Sequence, residues 1–266
     1  NFGIIAYGKT GGTELGYNSD LDLVFVHQSL SDEVTTGRID GKKSVPSSQF
    51  YLKLAQRIIH IFNTRMSSGI LYELDMRLRP SGSAGLLVVH LNTFAQYQHE
   101  DAWTWEHQAL VRARMIFGNS QLQQNFTNIR QEVLSKPRVI DSLKTDVIAM
   151  REKMRMQLAS KPNADGQTKQ FHLKHDEGGI VDMEFMVQYG VLAHAHRCQR
   201  LLTYTDNIRI LEEFEMQGIL STVQAQDLRE AYQTMRAMEH RLTLQNQAGE
   251  VLNDDLCEQR EKVKAV

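Results

Sequence analysis

Two aspartates near the start of the chain, Asp20 and Asp22, have the type and spacing of a metal-binding pair. They open the run DLDLVFV, whose apolar residues are typical of a buried β-strand. Side chains two residues apart lie on one face of a strand, so both carboxylates should point the same way. A third acid, Asp75, lies in a later segment of alternating apolar and charged residues, with Arg77 at the same spacing after it.

Carboxylates that converge on one point repel each other unless a divalent cation lies between them. Mg²⁺ prefers carboxylate and phosphate oxygens, and two such ions can hold the attacking and leaving oxygens of a phosphoryl transfer. We therefore expect Asp20, Asp22 and Asp75 to be catalytic residues that bind two Mg²⁺ ions. The alternative, acids that are solvated at strand ends, is disfavoured by the third acid and by a glycine-rich turn before the pair.

That turn contains Gly8, Lys9, Gly11 and Gly12 and follows an apolar run. Glycines allow backbone N–H groups to approach phosphates closely, which predicts nucleotide binding at this turn. Lys9 is a candidate partner for a phosphate, and Ser19 is a candidate hydrogen-bond donor to it. A solvated lysine in a loop is the alternative role of Lys9.

Residues 3–10 also fit the P-loop pattern G-x-x-x-x-G-K-[ST]. A P-loop has its strand before the first glycine and a helix that opens at the lysine. Here the four intervening residues, 4–7, are apolar and predict the strand itself, and more glycine follows Lys9. We therefore interpret the segment as a strand and a glycine turn, not as a P-loop.

The elements around these residues predict an α+β fold. Residues 1–92 mix strand and helix patterns, with an amphipathic helix over 47–66, a long polar loop over 28–46 and strand-like stretches over 70–78 and 86–89. Residues 93–266 are almost entirely helical in pattern. Helices are predicted near 92–100, 103–113, 119–135, 141–160, 178–196, 206–216 and 221–246, with a break over 161–166 that is typical of a mobile loop.

Composition limits the function classes. The 266 residues are 41% apolar and 23% charged, with a formal net charge of −2, so the chain lacks the basic surface of a nucleic-acid-binding protein. No apolar run is long enough to cross a membrane, and we expect no signal peptide. Two isolated cysteines, Cys198 and Cys257, indicate a reducing, cytoplasmic environment. The chain begins without Met inside a predicted strand, so we expect it to be a piece of a longer polypeptide.

A glycine turn, an Asp-x-Asp strand and a later carboxylate resemble the DNA polymerase β-like nucleotidyltransferases. More narrowly, the chain resembles the glutamine synthetase adenylyltransferase family over about residues 1–250. The segments that carry the resemblance are AYGKTGGTELGYNSDLDLVFVH, GILYELDMRLRPSGSAG, AWTWEHQALVRAR and DEGGIVDMEFMVQY. The resemblance implies a small nucleotidyltransferase sheet-and-helix domain over 1–92 and a helical bundle over 93–266.

Family members carry two related halves, one that attaches AMP to a tyrosine of glutamine synthetase and one that removes it. The segment GYNSDLDLVF resembles the AMP-attaching half, whereas the removing half more usually reads Asn-Val-Ser-Ser-Asp-Ile-Asp-Leu at this place. The resemblance implies AMP transfer from ATP with release of pyrophosphate, in a multifunctional enzyme of nitrogen metabolism. It also implies glutamine synthetase as the protein substrate and the PII signal protein and glutamine as regulators, without nucleic acid or membrane. The alternatives are the AMP-removing half and a non-catalytic module that binds regulators.

Several further residues are candidates at the site. Arg77 and Arg79 suit phosphate contacts, with ion pairs to structural acids as the alternative. Arg112 and Arg114 are two apart in a predicted helix, so we expect only one of them to reach the site. The resemblance also implies a role near the site for Asp182 or Glu184, although the helix dipole alone favours an acid at this place.

Overall fold

The computed structural model describes residues 1–17, 19–29, 34–35, 45–67, 69, 72–160, 170–252 and 254–266. The chain forms two compact units, Asn1–Val133 and Leu134–Val266. The change from mixed to helical sequence patterns predicts a boundary at residue 92, and the boundary between the units lies well after it. The reason is that a strand and three helices beyond residue 90 belong to the first unit.

The described residues of the first unit form a mixed five-stranded sheet. Its strands are β1 (Phe2–Ala6), β2 (Leu21–His27), β5 (Leu74–Asp75), β6 (Val88–His90) and β7 (Arg114–Phe117). β2 is central: it pairs antiparallel with β1 on one side and parallel with β5 and β6 on the other. β7 pairs antiparallel with the far side of β1. A separate antiparallel pair consists of β3 (Val34–Thr35) and β4 (Val45–Pro46).

In the described part of this unit, five helices accompany the sheet. They are α1 (Gly8–Gly11), α2 (Ser47–Asn63), α3 (Leu91–Glu100), α4 (Thr104–Val111) and α5 (Ser120–Leu134), with a short 3₁₀ turn at Gly82–Ala84. The apolar spacing along α2 has a direct structural cause. Leu54, Ile58 and Phe62 pack against a buried cluster that includes Leu23 and Phe25 of β2.

The alternation of β2 sorts its side chains between two faces. Leu21, Leu23 and Phe25 belong to the cluster under α2, so Asp22 and Val24 point to the opposite face. The strand is buried from Leu23 to Val26, as its sequence predicts, and only its beginning carries acids. The chemistry-bearing residues are therefore held at one end of a well-packed strand.

Most predicted elements are confirmed, with informative exceptions. The predicted helix over 103–113 ends at Val111, and β7 follows where no strand was predicted. In the predicted strand over 70–78 only Leu74–Asp75 pairs, and residues 70 and 71 lie outside the described part. The loop predicted over 28–46 contains the short β3–β4 pair. Most of its other residues lie outside the described part of the chain, as does the predicted mobile segment 161–166.

The second unit is a helical bundle, as predicted. Its helices are α6 (Ile140–Leu158), α7 (Ile180–His194), α8 (Asn207–Met216), α9 (Thr222–Leu244) and α10 (Cys257–Lys264). α7 is apolar around most of its circumference and packs against α6, α8 and α9. The antiparallel strands β8 (Gln170–His172) and β9 (Glu250–Leu252) were not predicted from the sequence.

Two helix starts in this unit illustrate how local sequence sets the boundaries. Asp206 accepts a hydrogen bond from the Arg209 N–H at 3.0 Å, and Ser221 accepts one from the Gln224 N–H at 3.3 Å. Both residues are therefore N-caps, and their helices begin one residue after them. Within the described residues, no helix combines the length and the apolarity needed to cross a membrane.

A buried polar group lies beneath the glycine turn. Tyr7 is 2% exposed, and its hydroxyl has no hydrogen-bond partner within the described part of the chain. Burial raises the pKa of Tyr7. Nearby, Arg130 donates to the carbonyl oxygens of Leu110 at 3.1 Å and Val111 at 2.5 Å, and its burial lowers its pKa to about 10.

We expect Tyr7→Phe to stabilise the fold by about 1 kcal/mol, since it removes a buried hydroxyl that makes no hydrogen bond. Tyr97→Phe is the matched control, because the Tyr97 hydroxyl donates to Glu106 at 2.8 Å. It should lose about 1 kcal/mol. Urea denaturation of both variants measures the difference, and a larger loss in Tyr7→Phe than in Tyr97→Phe would contradict the assignment.

Candidate active site

The β2–β5 register brings two of the predicted acids together. Asp22 of β2 is the direct neighbour of Asp75 of β5 in a parallel pair, and the adjacent pair is Leu21 and Leu74. A hydrogen bond of 2.8 Å from the Leu21 N–H to the Glu73 carbonyl oxygen fixes this register. Strands in a sheet lie about 4.8 Å apart, so the two aspartates leave the sheet side by side.

Asp20 completes the acidic corner. It precedes β2 and is exposed, whereas Asp22 and Asp75 are half-buried. The guanidinium of Arg77 is influenced by all three carboxylates, which together raise the pKa of Arg77, Asp75 most strongly through its hydrogen bonds. The three acids that the sequence singles out therefore act on one exposed cation.

Arg77 binds Asp75 tightly. Its backbone N–H donates to Asp75 Oδ1 at 2.8 Å, and its Nε donates to Oδ2 at 2.8 Å, with a further ion pair from Nη2 to Oδ2. These hydrogen bonds lower the pKa of Asp75, while partial burial opposes them. Arg77 lies beyond the end of β5, so the extended strand that the sequence predicts around it is wrong; the side chain instead folds back onto Asp75.

The donor set suits Mg²⁺, because carboxylate oxygens from Asp20, Asp22 and Asp75 are of the type that this ion prefers. Within the described residues, however, no three His, Cys, Asp or Glu side chains already surround one point closely enough to hold a metal. Asp75 has both oxygens occupied by Arg77. A metal at this corner would therefore have to displace or share the Arg77 contacts.

Gly8 requires glycine for two separate reasons. Its φ is +52°, in the left-handed region that disfavours other residues. A Cβ at this position would lie 2.5 Å from Asp22 Oδ2. The Tyr7 N–H also donates to the Asp22 carbonyl oxygen at 2.9 Å. The turn and the acidic corner are thus in direct contact, and Gly8 leaves room for the Asp22 carboxylate.

The rest of the turn is a single helical turn, α1. Its N–H groups at Gly11 and Gly12 donate to the carbonyl oxygens of Tyr7 at 2.9 Å and Gly8 at 3.0 Å. Those two N–H groups therefore serve the turn itself, and Lys9 lies within it. Ser19 is buried, and its hydroxyl oxygen accepts from the Gly16 N–H at 3.1 Å.

Arg114 contacts the turn directly and Arg112 contacts it through Glu14, while the expectation that only one of them reaches the nucleotide stays a prediction. α4 ends at Val111, and Arg114 lies in β7 opposite Ala6, so the helical spacing rule does not apply. Arg114 donates from Nε to the Gly11 carbonyl oxygen at 3.2 Å. Arg112 is buried and donates from Nη2 to Glu14 at 2.6 Å.

Glu14 is the residue of this site that the sequence did not single out. Its N–H donates to the Lys9 carbonyl oxygen at 2.8 Å, and its carboxylate holds Arg112. Gly11 fits the same arrangement, because a Cβ there would overlap the Arg112 carbonyl oxygen. No spacing signal links Glu14 to a residue 98 positions away, so only the fold discloses this pair.

Arg79 has a structural environment. It donates to the carbonyl oxygens of Met76 at 2.7 Å, Ser83 at 2.9 Å and Gly85 at 3.2 Å. These contacts brace the turn after Asp75. They are not the ion pair that the sequence offers as the alternative, and the phosphate contact of Arg79 stays a prediction.

Asp182 and Glu184 lie in the second compact unit. Asp182 accepts from Arg151 Nε at 2.5 Å, from Arg155 Nη2 at 3.3 Å and from the Gly178 N–H at 2.7 Å. Glu184 accepts from the Tyr232 hydroxyl at 3.4 Å. Within its own unit, Asp182 is thus an anchor between α6 and the start of α7.

Comparison with known families divides the chain in the same way as its contacts. A family model described as glutamate-ammonia ligase adenylyltransferase matches residues 1–129. A second model, described as GlnD PII-uridylyltransferase, matches residues 149–265. Each match falls within one of the two compact units.

The chain is also similar to a curated protein of Vibrio parahaemolyticus, named bifunctional glutamine synthetase adenylyltransferase/adenylyl-removing enzyme, with 51% identity over 263 residues. The alignment covers 99% of this chain but 27% of the relative, so the chain spans about a quarter of that protein.

We expect Gly8→Ala to impair nucleotide binding beyond its cost in stability, because the new Cβ would push the Asp22 carboxylate aside. Gly218→Ala is the matched control: its φ is +68° and nothing lies within 4 Å of a Cβ there. Both variants should lose similar stability from backbone strain. Calorimetric titration with Mg·ATP should show weaker binding only for Gly8→Ala, and equal affinities would contradict the role of this contact.

We expect Arg77→Met to raise the pKa of Asp75, since the hydrogen bonds that lower it would be lost. Because the pKa of Asp75 is lower in the folded protein than in the unfolded chain, where it is about 3.9, ionised Asp75 stabilises the fold at pH values above about 3.9. This stabilisation is lost as the pH falls through the pKa of Asp75 in the folded protein. The stability difference between Arg77→Met and the original chain should therefore shrink below about pH 4.

Carboxyl-carbon NMR titration measures the Asp75 pKa directly. Arg79→Met is the control, since Arg79 binds backbone carbonyls and should leave that pKa unchanged. An unchanged pKa in Arg77→Met, or an equal rise in both variants, would show that Arg77 does not control Asp75.

Proposed function

Because the chain belongs to the glutamine synthetase adenylyltransferase/adenylyl-removing enzyme family, we propose that it carries the AMP-attaching activity. In this reaction a tyrosine hydroxyl of glutamine synthetase attacks the α-phosphorus of ATP. The new bond joins the tyrosine oxygen to phosphorus, the bond to the β-phosphate oxygen breaks, and pyrophosphate leaves. The observation that carries the proposal is the pairing of Asp22 with Asp75 beside the Gly8 turn.

Asp20, Asp22 and Asp75 would hold the two Mg²⁺ ions that the sequence predicts. When bound, Mg²⁺ would neutralise phosphate charge and favour the ionised form of the attacking hydroxyl. Asp22 is well suited to such a role because the β2–β5 ladder and Gly8 fix its position. Catalysis of phosphoryl transfer depends mainly on positioning and charge neutralisation, which a rigid strand end supplies.

Asp75 would bind metal, and Arg77 would contact a phosphate of ATP. The lowered pKa of Asp75 keeps its carboxylate ionised at neutral pH and makes it a weak proton acceptor. This favours a role as a metal ligand over that of the base for a tyrosine hydroxyl with a pKa near 10. Arg77, with 79% of its side chain exposed, could then turn from Asp75 to a phosphate of ATP.

The tyrosine proton would pass to solvent. The α1 turn would support the triphosphate, with Lys9 as its cationic contact. Arg112 and Arg114 would act as positioning residues, since they hold the turn through Glu14 and Gly11.

The AMP-removing half is the second candidate, because the name of the Vibrio relative includes both activities. A similar set of acids would serve phosphorolysis of the tyrosine–AMP bond. The segment from Gly16 to Phe25 favours attachment, because its sequence resembles that of the AMP-attaching half. For the second unit we propose contact with the PII signal protein or glutamine, supported by its match to a PII-uridylyltransferase model. The cytoplasmic location predicted from the sequence remains a prediction.

The direction of the reaction tests this assignment. The chain would be incubated with radiolabelled ATP and unmodified glutamine synthetase, and separately with phosphate and the AMP-modified form. We expect label to enter glutamine synthetase in the first reaction and no ADP to be released in the second. Release of ADP from the modified protein, without transfer in the first reaction, would assign the chain to the removing half instead.

We expect Asp75→Asn to bind Mg·ATP within about tenfold of the original affinity, or roughly 1.4 kcal/mol. Its single-turnover transfer rate should fall by at least about 10³, roughly 4 kcal/mol in barrier. The reason is that Asp20 and Asp22 would still hold the metal that accompanies ATP. Asp20→Asn and Asp22→Asn should abolish transfer and keep the fold.

The control is Asp141→Asn, an exposed acid in the first turn of α6. It should change neither binding nor rate. Equal losses of binding and rate in Asp75→Asn would mean that Asp75 serves the bound ground state. Near-normal transfer in Asp20→Asn or Asp22→Asn would refute the metal-ligand role.

A further inference from the structure

Tyr17 is an exposed aromatic residue next to the acidic corner, and the proposed reaction gives it no role. It lies in the short segment that joins the glycine turn to β2, and it is 64% exposed. Among the described residues it makes no hydrogen bond, ion pair or ring contact. The ring therefore contributes little to the packing of the core, and one of its faces is open to a ligand.

The backbone on both sides of Tyr17 is anchored. The Gly16 N–H donates to Ser19 Oγ at 3.1 Å, and the Ser19 N–H donates to the Gly16 carbonyl oxygen at 3.3 Å. Ser19 is buried, and on the other side Glu14 holds Arg112. Tyr17 is thus attached to the chain between two fixed points, as a residue that positions a ligand should be.

Tyr17 is also close to the acids along the chain. Three residues span at most about 11 Å, so the Cα atom of Tyr17 lies within that distance of the Cα atom of Asp20. Both residues are exposed. In the proposed reaction Asp20 would hold the Mg²⁺ that accompanies ATP, so the nucleoside of that ATP would lie within reach of the ring.

The remainder of the acidic corner suits metal and phosphate but offers no aromatic face for a base. Two segments form this corner, residues 8–21 and residues 73–85, through the glycine turn and the β2–β5 pair. Among their described residues, Tyr17 is the one aromatic residue. Bases stack on aromatic side chains because every base has a π-face.

We propose that Tyr17 is the residue on which the adenine base of ATP stacks. This inference rests on the proposed function, since it requires ATP at the acidic corner. The acids and the glycine turn hold the charged part of the nucleotide, and the Tyr17 ring covers one face of the base. Stacking uses the ring and not the hydroxyl, so phenylalanine should replace tyrosine at this position and alanine should not.

Calorimetric titration of the chain with Mg·ATP and with magnesium triphosphate, which lacks the nucleoside, tests the proposal. Loss of a stacked aromatic ring weakens binding by about 5- to 150-fold. We expect Tyr17→Ala to weaken binding of Mg·ATP at least about fivefold and binding of magnesium triphosphate less than about twofold. Tyr17→Phe should keep the original affinity for Mg·ATP within about twofold.

Phe117→Ala is the matched control. Phe117 is an aromatic residue of the same unit with a similar exposure, 58%. It lies three residues after Arg114 along β7, so it is further from the glycine turn that Arg114 contacts. This variant should bind both ligands as the original chain does.

Original affinity for Mg·ATP in Tyr17→Ala would overturn the proposal. Equal losses for both ligands would also overturn it, since they would indicate a displaced backbone, and so would an equal loss in Tyr17→Phe, which would implicate the hydroxyl. A raised KM for glutamine synthetase with unchanged ATP affinity would make Tyr17 a contact of the protein substrate instead. If the original chain bound neither ligand, the proposed nucleotide site would itself fail, which is distinct from an intact site that does not depend on Tyr17.

Discussion

The first unit depends on the parallel register that sets Asp22 of β2 beside Asp75 of β5. The register is fixed by a backbone hydrogen bond from Leu21 to Glu73 and by the burial of β2 from Leu23 onward. A slip of β2 by one residue would turn Asp22 toward the cluster under α2, away from the Asp75 face, and would expose Leu21 and Leu23. The apolar core thereby determines where the negative charge gathers, and that charge in turn requires a cation, supplied in this structure by Arg77.

The glycine turn is adapted to the same corner. Gly8 combines a left-handed backbone with the absence of a Cβ where Asp22 lies, and Gly11 allows the Arg112 backbone to approach. Arg112, Glu14 and Arg114 then hold the turn from behind. Rigid support of this kind accords with the proposed AMP transfer, because catalysis of phosphoryl transfer depends on preorganisation.

The α+β fold and the main helices can be predicted from the sequence, and the three acids can be singled out as candidate metal ligands. Each has a local signal: period-two alternation, the Asp-x-Asp spacing or a capping residue. β7 lacked such a signal, because Arg114–Phe117 is a short strand that exists only through its pairing with β1. The Arg112–Glu14 pair is equally non-local. The sequence predicts that Arg77 and Asp75 share a strand face, whereas their contact comes from a turn that folds back.

The most direct measurement of the central claim is the position of a metal at the Asp22–Asp75 corner. Crystals grown with Mn²⁺ and a non-hydrolysable ATP analogue would reveal it by anomalous scattering. The account predicts a peak within about 2.2 Å of carboxylate oxygens of both Asp22 and Asp75, with the Arg77 side chain moved toward phosphate. An intact Arg77–Asp75 pair, with the metal bound away from both aspartates, would contradict it.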